Sequence, residues 1–492
     1  MSAVLSTVTQ FFPKHKQRLL LVLLLIVAAG LKLIRLGIPA DFYFDEIYHV
    51  PAAKLMADND PRAYDSGPGT VEITGQLYHY DWLHPPLVKL MQAGSIKLLG
   101  FYSWGWRLPS IAGSVVLTIA VYGLAKTIWL GSAQADNASS HRDRDQARWF
   151  GLLAALLVNL SGLALVQSRI AMNDIWLAAF VTLAVWFYFK FLFSQHSRSG
   201  QLALFAAEEK DALSSEETVS RRRTTGRRRL LLLSGVFFGL AIAAKWTGVW
   251  PLLLLLLVQL MIVIVKRQYK LMPLSVFCLL LVPAAIYVFS YSQMFLQGQG
   301  WKQFVELQRQ VFWYQTHRTA GHAYASGPAV WLFNLRPVWY WRGDPQLPEL
   351  TANIYALGNF SMQWLALPSL VFVAGLVIVN RLSLRKPAQD SALVRSASLA
   401  WGLLLLVYLS VWLPWLLIGR VSFYYHYLPA VPFLVIFVSL FLWWLRSLSR
   451  WSFRLLLIIM TANFVVFYPH WTGIPVSKLW AEAIYFSVSS WR

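Results

Sequence analysis

The apolar runs of this chain limit its possible folds more than any other feature. Of the 492 residues, 57% are hydrophobic and only 13% are charged. Many of the runs approach the ~20 residues that cross a bilayer as a helix. They predict about eleven transmembrane helices, near residues 19–38, 108–130, 149–168, 174–193, 230–248, 250–265, 271–290, 357–380, 398–418, 424–445 and 453–470. The predicted fold class is an all-α integral membrane protein that forms a single domain over residues 1–492.

The distribution of charge predicts which ends of these helices share a face of the membrane. The net charge is +21, and 24 of the 43 Lys and Arg residues fall in six segments, 1–18, 131–148, 194–229, 266–270, 381–395 and 446–454. The positive-inside rule places all six in the cytoplasm, and the segment 194–229 is predicted to be a solvated basic loop. Membrane lipids are therefore expected partners of this charge, and nucleic acid is not.

With this topology, two larger loops, residues 39–107 and 291–356, lie together on the outer face. The longest stretches without a membrane-length run are residues 39–107, 194–229 and 291–356, which leaves no room for a soluble sugar-binding or nucleotide-binding domain. Function is therefore predicted in these loops and the adjoining helix ends. Within the second loop, residues 300–316 have helical apolar spacing and are predicted to lie along the membrane interface.

Asp45 and Glu46 follow the first apolar run directly. Adjacent carboxylates cost too much free energy to leave in lipid, so the pair is expected in water at a membrane face, where it could supply a general base. Capping of a helix is the competing interpretation. The sequence shows no metal-binding motif, and no cofactor is predicted to be required, although Asp45, Glu46 and Asp174 would suit a divalent cation if the fold gathered them.

Cationic residues lie near the outer ends of four predicted helices: Arg35, Arg169, Lys245 and Arg420. Any one could reach lipid headgroups without a further function, but four on one face favour binding of a phosphate. Other polar residues on this face also have two interpretations. Asp174 could form a structural pair with Arg169, and His84 could bind an acceptor or organise the Pro85-Pro86 turn.

Ordered motifs over nearly the full length carry a family resemblance. They are Arg35 with Pro39 and Asp45-Glu46, Trp82 with His84-Pro85-Pro86-Leu87 and Lys89, Trp106-Arg107, Gln167-Ser168-Arg169 with Asp174, Lys245-Trp246, Arg336-Pro337-Val338, and Arg420 with Tyr425-His426-Tyr427. In these the chain resembles the protein O-mannosyltransferase family of the GT-C superfamily. The eukaryotic members carry a β-trefoil domain in the second outer loop, which is too short here, so the bacterial branch is the better match.

The resemblance implies a GT-C fold that transfers a sugar, with mannose expected, from a polyprenyl phosphate donor to Ser or Thr hydroxyls of proteins, with inversion. It implies a bacterial inner (plasma) membrane with the active site facing the periplasm. It implies Asp45 as base and Glu46 as the group that orients the acceptor or a neighbouring cation. Phosphate binding is predicted first for Lys245 and Arg420, then for Arg169 and Arg35. The predicted acceptor or pocket residues are His84, Asp174, Arg107, Arg336, Tyr425 and His426.

Two other functions fit parts of the sequence. One is a GT-C transferase that modifies a lipid or a polysaccharide, as aminoarabinose transferases do, because the donor chemistry is the same. The other is a transporter of lipid-linked sugars. Transporters often contain repeated halves with polar residues near the middle of the membrane. Here the polar residues cluster at one face and the Asp-Glu pattern occurs once, which disfavours transport.

Overall fold

A computed structural model describes residues 2–67, 69–133, 141–194, 216–317, 321–344, 348–383 and 391–491. Most of the basic loop predicted at 194–229 therefore lies outside the described residues. The α-helices are α1 Ser2–Leu33, α2 Glu46–Ala57, α3 Leu87–Leu99, α4 Ser103–Ala133, α5 His141–Asn159, α6 Gly162–Gln167, α7 Asp174–Ser194, α8 Glu216–Ala244, α9 Val249–Val265, α10 Met272–Val276, α11 Val282–Phe289, α12 Ser292–Leu296, α13 Trp301–His317, α14 Pro328–Trp331, α15 Phe360–Trp364, α16 Ala366–Ser383, α17 Ser391–Trp412, α18 Val431–Leu448, α19 Arg450–Thr472 and α20 Lys478–Trp480.

Shorter elements join these helices. The 3-10 helices are Pro61–Tyr64, Trp246–Gly248, Tyr269–Leu271, Leu413–Leu417, Tyr424–Ala430 and Ser489–Trp491, and the π-helical turns are Phe277–Leu281 and Ala481–Tyr485. The strands are β1 Thr70–Ile73, β2 Gln76–His79, β3 Val338–Arg342, β4 Leu350–Thr351, β5 Asn353–Ala356 and β6 Val476–Ser477. They form three antiparallel two-stranded ribbons, β1-β2, β3-β5 and β4-β6.

The prediction of an integral membrane helical protein is confirmed. Within the described residues, eight helical segments are long and apolar enough to cross a membrane: 103–132, 174–194, 246–265, 269–289, 360–379, 399–417, 424–448 and 450–472. The count of eleven transmembrane helices stays a prediction. On α9 the exposed residues Leu253, Leu257, Met261 and Ile264 recur at helical spacing, so one face of this helix is suited to lipid.

Two predicted helix boundaries change in the structure. The helix expected over 149–168 ends at Asn159, because Ser161 starts a new turn and its side chain accepts a hydrogen bond from the Ala164 backbone N–H. The long apolar run near 230–265 breaks at Lys245, whose backbone is extended (φ −160°, ψ 137°). The break gives two helices, α8 and α9, and leaves the Lys245 side chain at their junction.

The segment predicted as the first outer loop is folded. It contains α2, α3 and the ribbon β1-β2. Against these elements pack Phe304, Leu307 and Val311, which form the buried face of α13. The helix predicted near residues 300–316 is thus confirmed as α13, and its buried face holds the first loop in place over the helix ends.

Candidate active site

Asp45 directly precedes α2, and among the described residues of this turn its side chain makes no capping hydrogen bond to the helix. The residue before it, Phe44, has a φ of 49°, which is rare for a bulky side chain and often marks a functional site. The capping interpretation is therefore wrong for Asp45, and the carboxylate is directed toward other groups.

Tyr425 supplies the direct hydrogen bond to Asp45. The Tyr425 hydroxyl donates to Asp45 Oδ2 at 3.2 Å, across 380 residues of sequence. Burial raises the pKa of Asp45, and the nearby Asp174 carboxylate raises it further, whereas His49, the Tyr425 hydrogen bond and Lys245 oppose this shift. The result is a carboxyl whose pKa lies above its ordinary value, as expected for a general base in a partly dry site.

Lys245 and Asp174 form a buried ion pair beside this carboxylate. Lys245 Nζ lies 2.8 Å from Asp174 Oδ1, and the two side chains are only 8% and 2% exposed. The same ammonium lies 5.6 Å from the centre of the Tyr425 ring. The predicted pairing of Asp174 with Arg169 is therefore wrong, since α7 presents Asp174 to the break between α8 and α9.

His84 lies in a cluster that the sequence interpretation missed. Asp81 Oδ1 is 3.1 Å from His84 Nδ1, and Asp81 Oδ2 is 3.2 Å from His49 Nδ1. Lys89 Nζ donates to the backbone oxygens of Asp81 and His84 at 2.7 and 2.8 Å and lies 3.2 Å from Asp81 Oδ2. This His49-Asp81-His84-Lys89 cluster joins the Pro85-Pro86 turn to α2, one helical turn after Asp45.

The electrostatics of the cluster keep Asp81 ionised and His84 neutral. Burial by itself would raise the pKa of Asp81, but Lys89, His84 and His49 hold it well below its ordinary value. Burial lowers the pKa of His84 to about 4, against the opposing effect of Asp81. At neutral pH the Asp81 carboxylate is thus a fixed anchor for the His84 ring.

Glu46 faces away from Asp45 and binds Arg107. The guanidinium donates from Nε to Glu46 Oε1 at 2.9 Å and from Nη2 to Oε2 at 2.8 Å. Glu46 Oε1 also accepts the Ala171 backbone N–H at 3.0 Å. Both side chains of the pair are fully buried. Of the two predicted roles for Glu46, orientation of a neighbouring cation fits this geometry. Arg107 is buried in this pair, and its acceptor or pocket role stays a prediction.

Three other predicted residues lie apart from the Asp45 group. Arg169 is buried and donates from Nη1 to the backbone oxygens of Lys32 and Ile34 at 2.5 and 2.6 Å, and burial lowers its pKa to about 10. Arg35 is exposed, with a φ of 56°. Arg336 donates to the Ala323 backbone oxygen at 2.7 Å. Arg169 therefore braces the end of α1, and its contacts do not favour the predicted phosphate role.

Arg420 and His426 complete the group. Arg420 lies close enough to Tyr425 and His426 to act electrostatically on both. His426 Nδ1 accepts the Phe423 backbone N–H at 3.0 Å, so a neutral His426 ring carries its proton on Nε2. The structure thus gathers Asp45, Asp174, Lys245, Tyr425, His426 and Arg420, with His84 at the edge of the group.

Behind Asp45, aromatic rings form a wall. The Phe44 and Tyr340 rings stack with their centroids 3.9 Å apart, and Tyr425 lies edge-on to Phe44 at 5.7 Å. The Tyr340 hydroxyl accepts a hydrogen bond from Gln167 Nε2 at 2.6 Å. Tyr340 was not predicted, and no motif marks it, because it reaches the site from the ribbon β3-β5. The arrangement offers a proton acceptor, two cations and flat apolar surface, as transfer from a lipid phosphate requires.

The chain is similar in fold to solved membrane glycosyltransferases. The Saccharomyces cerevisiae protein O-mannosyltransferase Pmt1-Pmt2 complex bound to the sugar donor matches with a TM-score of 0.70 at 15% identity, covering 95% of this chain and 92% of that one. ArnT from Cupriavidus metallidurans bound to undecaprenyl phosphate matches with a TM-score of 0.50 at 17% identity, covering 90% and 63%. These matches show the fold: the chain is an integral membrane protein of the same fold class as those two proteins, with a polar group at one end of its helices.

Family models and named relatives make the assignment more specific. Residues 79–208 match the model described as dolichyl-phosphate-mannose-protein mannosyltransferase, and residues 300–488 match the C-terminal four TMM region of protein-O-mannosyltransferase. The chain belongs to the protein O-mannosyltransferase family. Polyprenol-phosphate-mannose--protein mannosyltransferases of Mycolicibacterium smegmatis and Mycobacterium tuberculosis are 23% and 26% identical to it, over 95% and 91% of this chain and 91% and 86% of theirs.

Proposed function

We propose that this enzyme transfers mannose from a polyprenyl phosphate to Ser or Thr hydroxyls of proteins, with inversion, using Asp45 as the base. Family membership supports the donor and the protein acceptor. The observation that carries the mechanism is the Asp45 carboxylate, which caps no helix and lies close enough to Lys245 to interact electrostatically with it. A carboxylate left available beside a cation suits removal of a hydroxyl proton next to a phosphate.

These residues account for the proton and the charge that move in the proposed step. The acceptor hydroxyl gives its proton to Asp45 as its oxygen attacks the anomeric carbon of the sugar. The bond from that carbon to the phosphate oxygen breaks, and its electron pair stays on the polyprenyl phosphate. Lys245 and Arg420 offset the charge that grows there. Asp174 holds Lys245 in position through the 2.8 Å ion pair, which is a role distinct from the predicted contact with the acceptor.

The proposed setting is the plasma membrane of a bacterium, with Asp45 facing the exterior or periplasm. Three helices that reach the active-site end carry basic residues about one membrane thickness before that end: Arg18 on α1, Arg227 on α8 and Arg454 on α19. The positive-inside rule favours a cytoplasmic location for such residues. The active-site end would then lie on the opposite side, where a lipid-linked sugar meets an exported protein.

We propose that transfer needs no divalent cation. The sequence left three carboxylates as possible metal ligands, and each has another partner: Asp45 contacts Tyr425, Glu46 contacts Arg107 and Asp174 contacts Lys245. Among the described residues, His49, Asp81 and His84 could together reach a metal ion. However, the Lys89 ammonium lies 3.2 Å from Asp81 Oδ2, and a divalent ion added beside it in a buried site would meet strong repulsion.

A reconstituted assay tests this function. Purified full-length protein in detergent, with polyprenyl-phosphate mannose and a Ser/Thr-rich peptide, is expected to produce mannosylated peptide, and EDTA is expected to change the rate by less than about twofold. A peptide of the same sequence with Ala at every Ser and Thr is the control. Transfer to a lipid acceptor but to no peptide would contradict the protein-acceptor proposal, and loss of activity in EDTA would contradict metal independence.

Replacing Tyr425 by Phe should move the pH dependence of the reaction. The acceptor proton can be taken only by ionised Asp45, so kcat/KM should fall as the pH drops through the raised pKa of Asp45. The Tyr425 hydroxyl stabilises the ionised form by its 3.2 Å hydrogen bond. In Tyr425→Phe we expect the acidic limb of the profile to lie about 0.5–1 pH unit higher. Tyr427→Phe, which removes a nearby hydroxyl bonded to Tyr408, is the matched control, and equal profiles for wild type and Tyr425→Phe would contradict the assignment.

A further inference from the structure

A cavity of about 550 Å³ lies far from the active site and is rich in positive charge. Its lining residues are Phe191, Arg227, Arg228, Arg267, Gln268, Tyr269, Lys270, Leu271 and Leu274. Four of these nine described residues are cationic and none is acidic. The side chains come from the end of α7, the basic part of α8, the turn between α9 and α10, and α10 itself. The catalytic proposal uses none of them.

The helices place this cavity about one bilayer thickness from the active site. On α8, Arg227 lies 18 residues before Lys245, which is about 27 Å at the helical rise of 1.5 Å per residue. On α7, Phe191 lies 17 residues after Asp174, which is about 25 Å. Since both helices begin or end at the Asp174-Lys245 pair, the cavity opens at the opposite membrane interface, at the depth of lipid headgroups.

The turn between α9 and α10 holds two of the cations in a defined geometry. Arg267 has a φ of 53°, and the backbone N–H groups of Arg267 and Gln268 donate to the oxygens of Ile264 and Val263 at 3.0 and 2.8 Å. These bonds close the end of α9. The turn therefore presents Arg267 and Lys270 to the cavity without a large loss of backbone freedom on binding.

The lining combines two chemistries. Four cations gathered in one cavity repel one another, so an anion there gains free energy, and Arg guanidinium groups bind phosphate oxygens in pairs. Beside them, Phe191, Leu271 and Leu274 provide an apolar wall, and the Tyr269 ring is 58% exposed. A small soluble anion would leave this apolar wall exposed to water. A lipid with a phosphate headgroup and acyl chains would contact both the cations and the apolar wall.

We propose that this cavity binds the phosphate headgroup of an anionic glycerophospholipid, with the start of an acyl chain against Phe191, Leu271 and Leu274. The site differs from the donor site in position, since it lies at the other end of α7 and α8. It also differs in chemistry, because its lining residues include no carboxylate that could act as a base. The site anchors the α9–α10 turn to the leaflet opposite the active site.

Thermal unfolding of the delipidated full-length protein in detergent tests the site. Added phosphatidylglycerol should raise the Tm of the wild type at least about twice as much as zwitterionic phosphatidylcholine, because a ligand that binds only the folded state stabilises it. In Arg267→Gln/Lys270→Gln, the shift specific to phosphatidylglycerol should fall by more than about half. Lipid that remains bound after purification, measured by mass spectrometry, should fall in parallel.

A control with the same loss of charge separates this cavity from general surface attraction. Arg18 and Arg454 are exposed, lie at the same end of the helices and do not line the cavity, so Arg18→Gln/Arg454→Gln should keep the full shift. The proposal fails if the control pair loses the shift equally, or if Arg267→Gln/Lys270→Gln keeps it. It also fails if inorganic phosphate reproduces the shift, because the cavity would then bind an anion without its lipid.

Discussion

Asp45→Asn is expected to lower kcat for mannose transfer by on the order of 10³-fold, because a positioned general base contributes about 10²- to 10⁴-fold. The amide keeps the size of the side chain and can still accept the hydrogen bond that Tyr425 donates at 3.2 Å. It cannot take the acceptor proton at neutral pH. The measurement is single-turnover transfer from polyprenyl-phosphate mannose to peptide by the purified variant.

Two further measurements show whether the loss in Asp45→Asn is chemical. Binding of the donor should change little, because the cations Lys245 and Arg420 are still present, and the Tm should stay near that of the wild type. Asp58→Asn is the matched control, since Asp58 directly follows the same helix, α2, and pairs with Lys54 at the surface. Transfer by Asp45→Asn within about tenfold of wild type would assign the proton to another group.

In contrast to Asp45→Asn, Arg420→Gln should weaken binding of the polyprenyl-phosphate donor. If Arg420 binds the phosphate, its loss should raise the donor KM and lower kcat/KM by about 10- to 100-fold, since a charge-assisted hydrogen bond contributes about 1.5–3 kcal/mol. The shape of the pH profile should not change, because Asp45 still sets it. A normal donor KM in Arg420→Gln would remove this residue from the phosphate site.

The convergence of Asp45, Lys245 and Arg420 could be predicted because it depends on topology. Each lies where an apolar run ends, and the alternation of basic segments places those ends on one face. Burial of the helices then brings them together. The break at Lys245 was also visible in the sequence, since a Lys interrupts an apolar run and Pro251 follows soon after. The structure agrees with both inferences.

The partner of each charge could not be predicted, because helix packing decides it. Asp174 lies five residues from Arg169 and 71 from Lys245, yet it pairs with Lys245. Asp45 and Glu46 are adjacent, but successive helical residues point about 100° apart, so one faces Tyr425 and the other faces Arg107. The sequence shows that the two carboxylates point in different directions, but it does not show which residue each one meets.

The cluster around Asp81 left only a weak signal. His49 follows Asp45 by four residues, which places both on one side of α2, and Asp81 precedes His84 by three. Both spacings are common by chance. Asp81 becomes recognisable only when the fold brings His49 and Lys89 to it, after which its buried carboxylate lies within 3.2 Å of both side chains.

Arg107→Met is expected to destabilise the protein by about 3–5 kcal/mol, the loss typical when one partner of a buried ion pair is removed. The Glu46 carboxylate would stay fully buried and lose both of its guanidinium bonds. The backbone oxygens of Leu36, Pro39 and Asp41, which accept from the same guanidinium at 2.9, 2.6 and 3.0 Å, would also lose their donor. The measurement is the free energy of unfolding in mixed detergent with denaturant.

Arg107→Lys should recover little of this stability, because one ammonium cannot reproduce the paired bonds to Glu46 together with three backbone contacts. Glu46→Gln/Arg107→Met should be more stable than Arg107→Met alone, since the uncompensated charge is gone. Lys54→Met is the control: it breaks the exposed pair with Asp58 and should cost less than about 1 kcal/mol. If Arg107→Met were no less stable than Lys54→Met, the Glu46-Arg107 pair would not be what holds Asp45 and the start of α2 against the membrane helices.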